Sequence, residues 1–395
     1  MSLPSPPPEE TRARTHWGYL VAAFSCLCFM GFGDNMRGPV FPALLADLGL
    51  DDAQGGLMFA ATSVGAMAGG QFFRRLVRLT STLRSTQLGL FLGAVGLFGT
   101  TLATDLPGLL VAAFVFGIAC GGLALSQNLM VEEGSRPVHR RQWLSGLHSV
   151  YGLASLVAPL VVNALANAGA DWRVSLQLAA ALLVGLTLCL MGVKPLPPRT
   201  PVGTQAPPRP AGLGVRQWAV CLMVSFAVTA ELTISTRLVQ LLQREGLPDD
   251  QAAWALAAFF VCLLLGRLAC SLWRTRLSSR ALILSSGLLS LALFIGGLQI
   301  EFLLLPVVAL TLGPFFPVAI DMIADEFGPH LEETLGLMVV VVSLALAVAH
   351  IALGVWSDAA SLAQAFWLGP MALLGALLCL WWSRPEARID PAQAA

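Results

Sequence analysis

Charged and amide side chains occur inside stretches that are otherwise apolar, and the first stretch has the densest group. Residues 31–42 read GFGDNMRGPVFP, which places Asp34, Asn35 and Arg37 among three glycines and two prolines. A charge at the centre of a membrane costs about 2.5–3.5 kcal/mol on insertion scales, so it needs a reason. Glycine and proline loosen a helix, and an interrupted polar helix predicts a solute-binding site. Alternatively, Asp34 and Arg37 neutralise each other at i, i+3 and only close the packing.

A second acid lies in a later apolar stretch, FAVTAELTISTRLVQ, at Glu231. A glutamate inside a membrane can load and release a proton, which makes Glu231 a second candidate for proton coupling. Arg237 is six residues further on, about 120° around a helix, so the two side chains need not pair directly. Arg237 is a candidate for substrate binding, and a structural ion pair is the alternative role for Glu231.

Two further stretches offer neutral groups. In GLHSVYGLASLVAP, the side chains of His148, Tyr151 and Ser155 fall on one face of a helix. Because a histidine titrates near neutral pH, His148 could carry a proton or donate a hydrogen bond to a substrate hydroxyl. Gln127 and Asn128 could hydrogen-bond a polar ligand. The alternative for both groups is hydrogen bonding between helices. His350 stands alone in its stretch, and we expect it to be a core histidine.

The elements that must position these residues follow from composition. Of 395 residues, 56% are hydrophobic and 12% are charged, whereas soluble domains are about one quarter charged. Soluble cores of this composition would expose large apolar patches. The chain has 23 basic and 23 acidic residues, so its net charge of zero does not attract polyanions such as nucleic acids. Soluble enzymes, nucleic-acid binders and disordered proteins are excluded, and we predict an all-α integral membrane protein that resides in a lipid bilayer.

Long apolar runs predict about 12 transmembrane helices, in two six-helix bundles. The predicted spans are 17–45, 54–76, 83–103, 107–131, 143–168, 172–193, 216–242, 251–273, 281–300, 302–324, 335–357 and 362–383. The domains are a cytoplasmic tail at 1–16, bundles at 17–193 and 216–383, a Pro-rich cytoplasmic linker at 194–215 and a second tail at 384–395. EEGSRP after the fourth span resembles DEFGPH after the tenth, which indicates two parallel halves.

The arginines predict the orientation, because cytoplasmic loops are enriched in basic residues. With both termini in the cytoplasm, most arginines lie in inner loops, and the outer loops keep only Arg173 and Arg244 beside acids such as Asp51 and Asp52. We expect a monomer in a bacterial inner membrane or a plasma membrane. The eight cysteines form no CxxC pair, which excludes a disulfide frame or zinc site. No phosphate-binding or hydrolase motif occurs, so neither an enzyme nor a cofactor is expected.

Three stretches carry a resemblance to a known family. They are SQN at 126–128 with a basic loop and HSVYGLASLVAP, AELTISTRLVQLLQREGLPDDQAA at 230–253, and LLLGRL at 263–268. Over residues 17–383 the chain resembles the major facilitator superfamily, and these stretches resemble its fucose–proton symporter-like subgroup. The resemblance implies alternating access to a central site. It also implies that Asp34 is a proton-coupling acid, His148 a cavity residue and Glu231 the acid of the seventh helix.

The sequence departs from the family pattern at two places. The loop after the second span, GGQFFRRLVRLTSTLRS, lacks the aspartate of the family's usual gating interaction. The fourth span lacks the acid of the sugar–proton relatives, which does not support a two-acid proton relay and weakens the sugar assignment. We predict a secondary transporter that uses the proton gradient to move a small polar solute, with a sugar as the first choice. The alternatives are an antiporter that exports drug-like or amphipathic compounds and a membrane sensor that binds its ligand without moving it.

Overall fold

Helices account for nearly all of the chain that the computed structural model describes, which comprises residues 15–136, 139–196, 214–272 and 277–384. The helices are α1 Trp17–Leu48, α2 Asp52–Leu79, α3 Thr82–Leu102, α4 Leu106–Gly134, α5 Arg140–Asn167, α6 Trp172–Leu190, α7 Val215–Arg244, α8 Asp249–Leu272, α9 Ser279–Gln299, α10 Leu305–Leu312, α11 Phe315–Phe327, α12 Leu331–Ala359, α13 Leu362–Ala365 and α14 Leu368–Trp382. Two short 3-10 helices, Phe302–Leu304 and Gly328–His330, precede α10 and α12.

The twelve predicted spans are all present as helical segments. The tenth span is divided into α10 and α11, and the twelfth into α13 and α14. Eleven segments in the described ranges are long and apolar enough to cross a membrane. The exception is α2, whose second half carries the polar and basic residues of GGQFFRRLVRL, although its 28 residues are long enough. The prediction of a helical membrane fold is confirmed.

Each half has its own apolar core. In α1–α6 the buried side chains of this core include Leu90, Phe116 and Leu123. In α7–α14, Phe259 and Phe294 are buried in a separate cluster. The connection between the halves runs through residues 197–213, so most of the predicted linker at 194–215 lies outside the described residues.

In each half a glutamate at an equivalent position accepts hydrogen bonds from the start of another helix. Glu133, in the stretch EEGSRP, accepts a hydrogen bond of 2.6 Å from Thr82 at the start of α3. Glu326, in DEFGPH, accepts one of 2.7 Å from Arg280 at the start of α9, and Arg216 at the start of α7 reaches it at 2.8 Å. These acids lie at the end of the bundle that carries the chain termini, which we call the terminal end.

The halves meet closely toward the other end of the bundle, which we call the opposite end. A Cβ on Gly56 of α2 would lie 2.4 Å from the carbonyl oxygen of His350, and one on Gly354 of α12 would lie 2.3 Å from that of Asp52. The backbones of α2 and α12 are therefore in direct contact. Nearer the middle, Gly38 of α1 packs against α7, where a Cβ would lie 3.1 Å from the carbonyl oxygen of Ser235.

The predicted interruption of the first helix is wrong, because α1 is one continuous helix of 32 residues with Pro39 and Pro42 inside it. Each proline removes one backbone hydrogen bond, but tight packing on both sides holds the helix together. Its glycines serve this packing: a Cβ on Gly31 would lie 2.7 Å from the ring of Tyr151, and one on Gly33 would lie 2.7 Å from Leu97.

Candidate functional site

A cavity of about 210 Å³ lies between the two halves near the middle of the bundle. Both halves contribute to its wall, and most of the lining side chains are polar or aromatic. Those used below are Asp34, Asn35, Arg37, Phe59, Thr62, Ser63, Tyr151, Ser235, Thr236, Ser343 and His350. The cavity therefore presents charged groups, hydroxyls and rings to a bound molecule, which is the composition expected of a site for a small polar solute.

Asp34 and Arg37 form an ion pair at the cavity wall. Nη1 of Arg37 donates to Oδ1 of Asp34 at 3.2 Å, and Nη2 donates to the hydroxyl of Thr62 at 2.7 Å. The guanidinium carbon lies 4.9 Å from the ring centres of both Phe59 and Phe116, an arrangement that favours a cation. The side chain of Arg37 is 7% exposed and that of Asp34 is 39% exposed. Arg37 is thus fixed, whereas the carboxylate is open to the cavity.

Asn35 joins α1 to α5. Its amide nitrogen lies 2.9 Å from the hydroxyl of Ser155 and 3.2 Å from that of Tyr151, and also 2.8 Å from the carbonyl oxygen of Gly31. An amide nitrogen has two hydrogens, so these three acceptors share them. The contacts fix the position of Tyr151 at the cavity wall. Asn35 and Tyr151 are therefore in contact, and both line the cavity.

Two other predicted residues do not line this cavity, and the side chain of a third lies outside the described residues. Gln127 is buried in α4, and its Oε1 atom has no hydrogen-bond partner in the described parts of the chain. Asn128 donates to the carbonyl oxygen of Ala124 at 2.7 Å, within its own helix. Neither lines the cavity. The backbone of His148 belongs to α5, but its side chain lies outside the described residues, so the predicted role of His148 stays a prediction.

Glu231 lies on α7 away from the central cavity. It lines a small hollow of about 10 Å³ with Leu312 and Phe315, and its carboxylate is 3.6 Å from Nη2 of Arg267. Arg267 is the arginine of the stretch LLLGRL in α8. The structure thus gives Glu231 an ion-pair partner that the sequence did not indicate, and it separates Glu231 from Arg237.

Arg237 is almost completely buried, with 1% of its surface exposed. Its guanidinium carbon is 3.9 Å from the ring centre of Phe41 and 5.4 Å from that of Phe59. Nη1 donates to Oε1 of Gln240 at 3.2 Å, while Nε and Nη2 have no hydrogen-bond partner among the described residues. Arg237 does not line the cavity itself but contacts Phe59, which does.

His350 was expected in the core, but it is a cavity residue that sequence reasoning missed. It is 5% exposed, it lines the cavity, and its ring stacks on Phe59 with 5.0 Å between the ring centres. One signal could have found it: Ser343, seven residues earlier, falls on the same face of a helix and also lines the cavity.

A set of hydrogen bonds joins the halves at the opposite end, and we call it the latch. Its members are Asp52, Gln240, Arg244, Ser357 and Asp358. Asp52, which is 3% exposed, accepts hydrogen bonds from both terminal nitrogens of Arg244 at 2.5 and 2.8 Å, from Gln240 at 2.8 Å and from the hydroxyl of Ser357. Asp358 accepts from the backbone nitrogens of Asp52 and Ala53 at 3.0 and 2.7 Å.

Of the latch residues, Asp52 and Arg244 were expected among the charges of the outer loops, and sequence reasoning did not connect them. Asp52 belongs to the first half, whereas Arg244 and Ser357 belong to the second. The latch therefore closes the opposite end of the cavity. Within the described ranges, no group of three or more His, Cys, Asp or Glu side chains could hold a metal ion.

Comparisons with known proteins identify the fold. The family model described as Major Facilitator Superfamily matches residues 23–245, which is more than half of the chain. No curated protein sequence matches significantly. The nucleoside transporter NupG superposes with a TM-score of 0.72 at 12% identity, covering 93% of this chain and 98% of that one. A bacterial homolog of the human lysosomal transporter Spinster, in an inward-facing unoccupied conformation, gives 0.72 at 15% identity, with 95% and 96% covered.

A third similar structure is the fucose transporter FucP in its outward conformation, with a TM-score of 0.63 and 15% identity over 93% of this chain and 100% of that chain. At such identities these structures show the fold alone. The family match, the helical segments and the polar cavity between two halves agree with one another. The chain is a multi-pass membrane transporter of small solutes and belongs to the major facilitator superfamily.

Proposed function

We propose that this transporter is a symporter that moves a small polar solute together with a proton by alternating access. One observation carries the proposal: the carboxylate of Asp34 is open to a cavity between the halves and is held by a single 3.2 Å hydrogen bond to Arg37. A carboxylate in this position can take a proton from the cavity. Protonation removes its charge and so weakens its tie to a fixed arginine.

Alternating access requires that the cavity open to one side at a time. The latch and the contact between α2 and α12 close the opposite end in this conformation. By the arginine distribution the termini lie in the cytoplasm of an inner or plasma membrane, so the latch closes the outer side. Opening the latch would then admit solute and proton from outside.

The other candidate residues have narrower roles in the proposal. Arg37 and Tyr151 contact the solute, and Asn35 holds Tyr151 in position. Glu231 is a second protonation site that acts through its ion pair with Arg267. Gln127, Asn128 and His148 stay candidates for solute contact in another conformation, and Arg237 acts from behind Phe59.

The first choice of solute is sugar-like. Proteins with the same fold include a fucose:proton symporter, a D-xylose-proton symporter and a nucleoside transporter, whose solutes all contain a sugar ring. The hydroxyls of Ser63, Ser235 and Thr236 offer suitable hydrogen-bond partners in this cavity. The alternatives are an exporter of amphipathic compounds and a sensor.

The test uses purified protein in liposomes with an imposed pH gradient and labelled fucose, xylose, nucleosides and the sugar acids gluconate and galacturonate. We expect uptake of at least one of these solutes against its concentration gradient, driven by an inward proton gradient. Asp34→Asn should abolish accumulation but keep solute exchange, because exchange needs no net proton movement. Asp250→Asn, at an exposed acid of α8, is the matched control. Normal accumulation by Asp34→Asn would refute the role of Asp34, extrusion would favour the antiporter, and binding without flux would favour the sensor.

A further inference from the structure

We propose that the solute carries a negative charge, which Arg37 binds when Asp34 becomes protonated. The inference rests on the proposed function and names the class of its substrate: small hydroxy acids, such as acidic sugars, rather than neutral sugars. It follows from the charges around the central cavity and from the geometry of Arg37.

The charges at the cavity and at its closed end balance while Asp34 is ionised. Asp34 and Arg37 cancel, and Arg237 lies immediately behind Phe59 with two nitrogens that have no hydrogen-bond partner among the described residues. His350 stacks on the same ring. Glu231 and Arg267 form a separate neutral pair. The polar groups that remain in the wall, such as the hydroxyl of Tyr151, are uncharged.

The two acids of the latch, Asp52 and Asp358, balance the two arginines at this end, Arg237 and Arg244, so Asp34 is left as the counter-ion of Arg37. Asp52 is already bound by both terminal nitrogens of Arg244, and Asp358 accepts hydrogen bonds from the first backbone nitrogens of α2. Arg237 is connected to Asp52 through Gln240. The side chain of Gln240 accepts a hydrogen bond from Arg237 and donates one to Asp52.

Arg37 itself is built to hold an anion. A guanidinium has five N–H donors in a rigid fork that matches a carboxylate or phosphate. The side chain is 7% exposed and is fixed by Thr62 and two aromatic rings. Asp34 occupies the fork through one contact of 3.2 Å, rather than through two parallel bonds. The guanidinium of Arg37 therefore has N–H donors that can still bind an anion in the cavity.

Charge balance then links the proton to the anion. In the empty site, ionised Asp34 neutralises Arg37. When Asp34 takes a proton, its O–H bond forms and its charge disappears, so Arg37 is left as an uncompensated buried cation, which is costly. A bound anion restores neutrality, and the loaded site has the same net charge as the empty one. A neutral solute would leave the positive charge in place. An anionic solute therefore lets both the empty and the loaded site change conformation without an uncompensated buried charge.

The experiment measures binding at equilibrium, without a gradient, by isothermal titration and thermal stabilisation of the purified protein. The probes are matched pairs of an acid and its amide: gluconate and gluconamide, galacturonate and galacturonamide, lactate and lactamide. Fucose and xylose are the neutral sugars. The variants are Arg37→Gln, Arg37→Lys and Asp34→Asn, with Arg84→Gln, at an exposed arginine of α3, as the matched control.

We expect at least one acid to bind about tenfold or more tightly than its amide, because its bonds to Arg37 are charge-assisted. Arg37→Gln should remove this preference, and Arg37→Lys should reduce it, whereas Arg84→Gln should keep it. Asp34→Asn, which mimics the protonated acid, should bind the same anion about tenfold more tightly at pH 7.5 and no longer respond to pH. If Arg37→Gln does not fold, the acid–amide comparison in the wild type and in Asp34→Asn still decides.

The inference is overturned if no acid in the panel binds, if amides or neutral sugars bind as well as the acids, or if Arg37→Gln keeps the preference for acids. These outcomes are distinct from failure of the proposed function. Accumulation of a neutral sugar in the liposome assay would keep the symporter and reject the anion. Binding of an acid through Arg37 without any flux would keep the anion site and reject symport.

Discussion

Replacing Asp52 by asparagine should shift the transporter toward conformations in which the opposite end is open. The change keeps the size of the side chain and removes its charge. Asp52 is the acceptor for Arg244, Gln240 and Ser357, all of which belong to the other half. An asparagine has one oxygen fewer, and its amide group would face donors instead of accepting from them.

The size of the effect follows from burial. A hydrogen bond to a charged group contributes about 1.5–3 kcal/mol when shielded, whereas exposed ion pairs contribute about 0–1 kcal/mol. The side chain of Asp52 is 3% exposed but that of Arg244 is 46% exposed, so the net loss lies between these limits. We take about 2 kcal/mol, which changes the ratio of closed to open molecules about 30-fold, since about 1.4 kcal/mol is a factor of ten.

The assay is a distance measurement by pulsed electron resonance between spin labels on the two halves. Labels at Ala168, after α5, and Ala360, after α12, are exposed at the opposite end, in a background in which the eight native cysteines are replaced. The long-distance population should rise in Asp52→Asn. The control is Asp51→Asn, because Asp51 bonds only within α2, to Gln54. Unchanged distances in Asp52→Asn, or the same shift in both variants, would refute the latch.

Three further changes test other parts of the structure. Gly56→Ala should force α2 away from α12, because its Cβ would lie 2.4 Å from a carbonyl oxygen; we expect a loss of about 1–3 kcal/mol in thermal unfolding, and none for Gly336→Ala, which has open space. Glu326→Gln should lower stability by about 1–2 kcal/mol, since it leaves two partly exposed arginines without their anion, while ligand affinity at the cavity stays unchanged. Glu231→Gln should flatten the pH profile of transport between about pH 5 and 8 if Glu231 carries a proton; lower protein yield with an unchanged profile would make it structural.

The helical architecture could be predicted because membrane spans have a local signal. Each span needs about 20 mostly apolar residues in sequence, and loops of polar residues separate them. Even α2, which carries several basic and polar residues, was recognisable from the position of its apolar residues between two loops. The break between α10 and α11 falls at Gly313 and Pro314, a dipeptide typical of a helix break. It did not divide the predicted tenth span, because both parts are apolar and hydropathy alone set the bounds of the spans.

The charged residues of the cavity could also be predicted in part. Asp34 and Arg37 are conspicuous because a charge inside a membrane is expensive, and their i, i+3 spacing makes their contact local. The partner of Glu231 could not be predicted in the same way. Arg267 lies 36 positions away, on α8, and only the packing of α8 against α7 brings the two side chains together.

The latch was missed because its contacts join distant parts of the chain. Asp52 and Arg244 are 192 positions apart, and each alone resembles an ordinary loop charge at the end of a span. The interruption of α1 was predicted wrongly for a related reason. Proline and glycine favour a break in an isolated helix, but the neighbours of Gly31 and Gly38 require close approach, and the packing keeps α1 helical.

The contact between α2 and α12 has a consequence for electrical tightness. At Gly56 and Gly354 the two helices meet main chain to main chain, with no side chain that could change rotamer and admit a file of water. A membrane potential acts on any ion in such a gap with about 2.3 kcal/mol per elementary charge per 100 mV. A backbone contact of this kind should block the leakage of ions between the two halves, and it requires that positions 56 and 354 carry no Cβ atom.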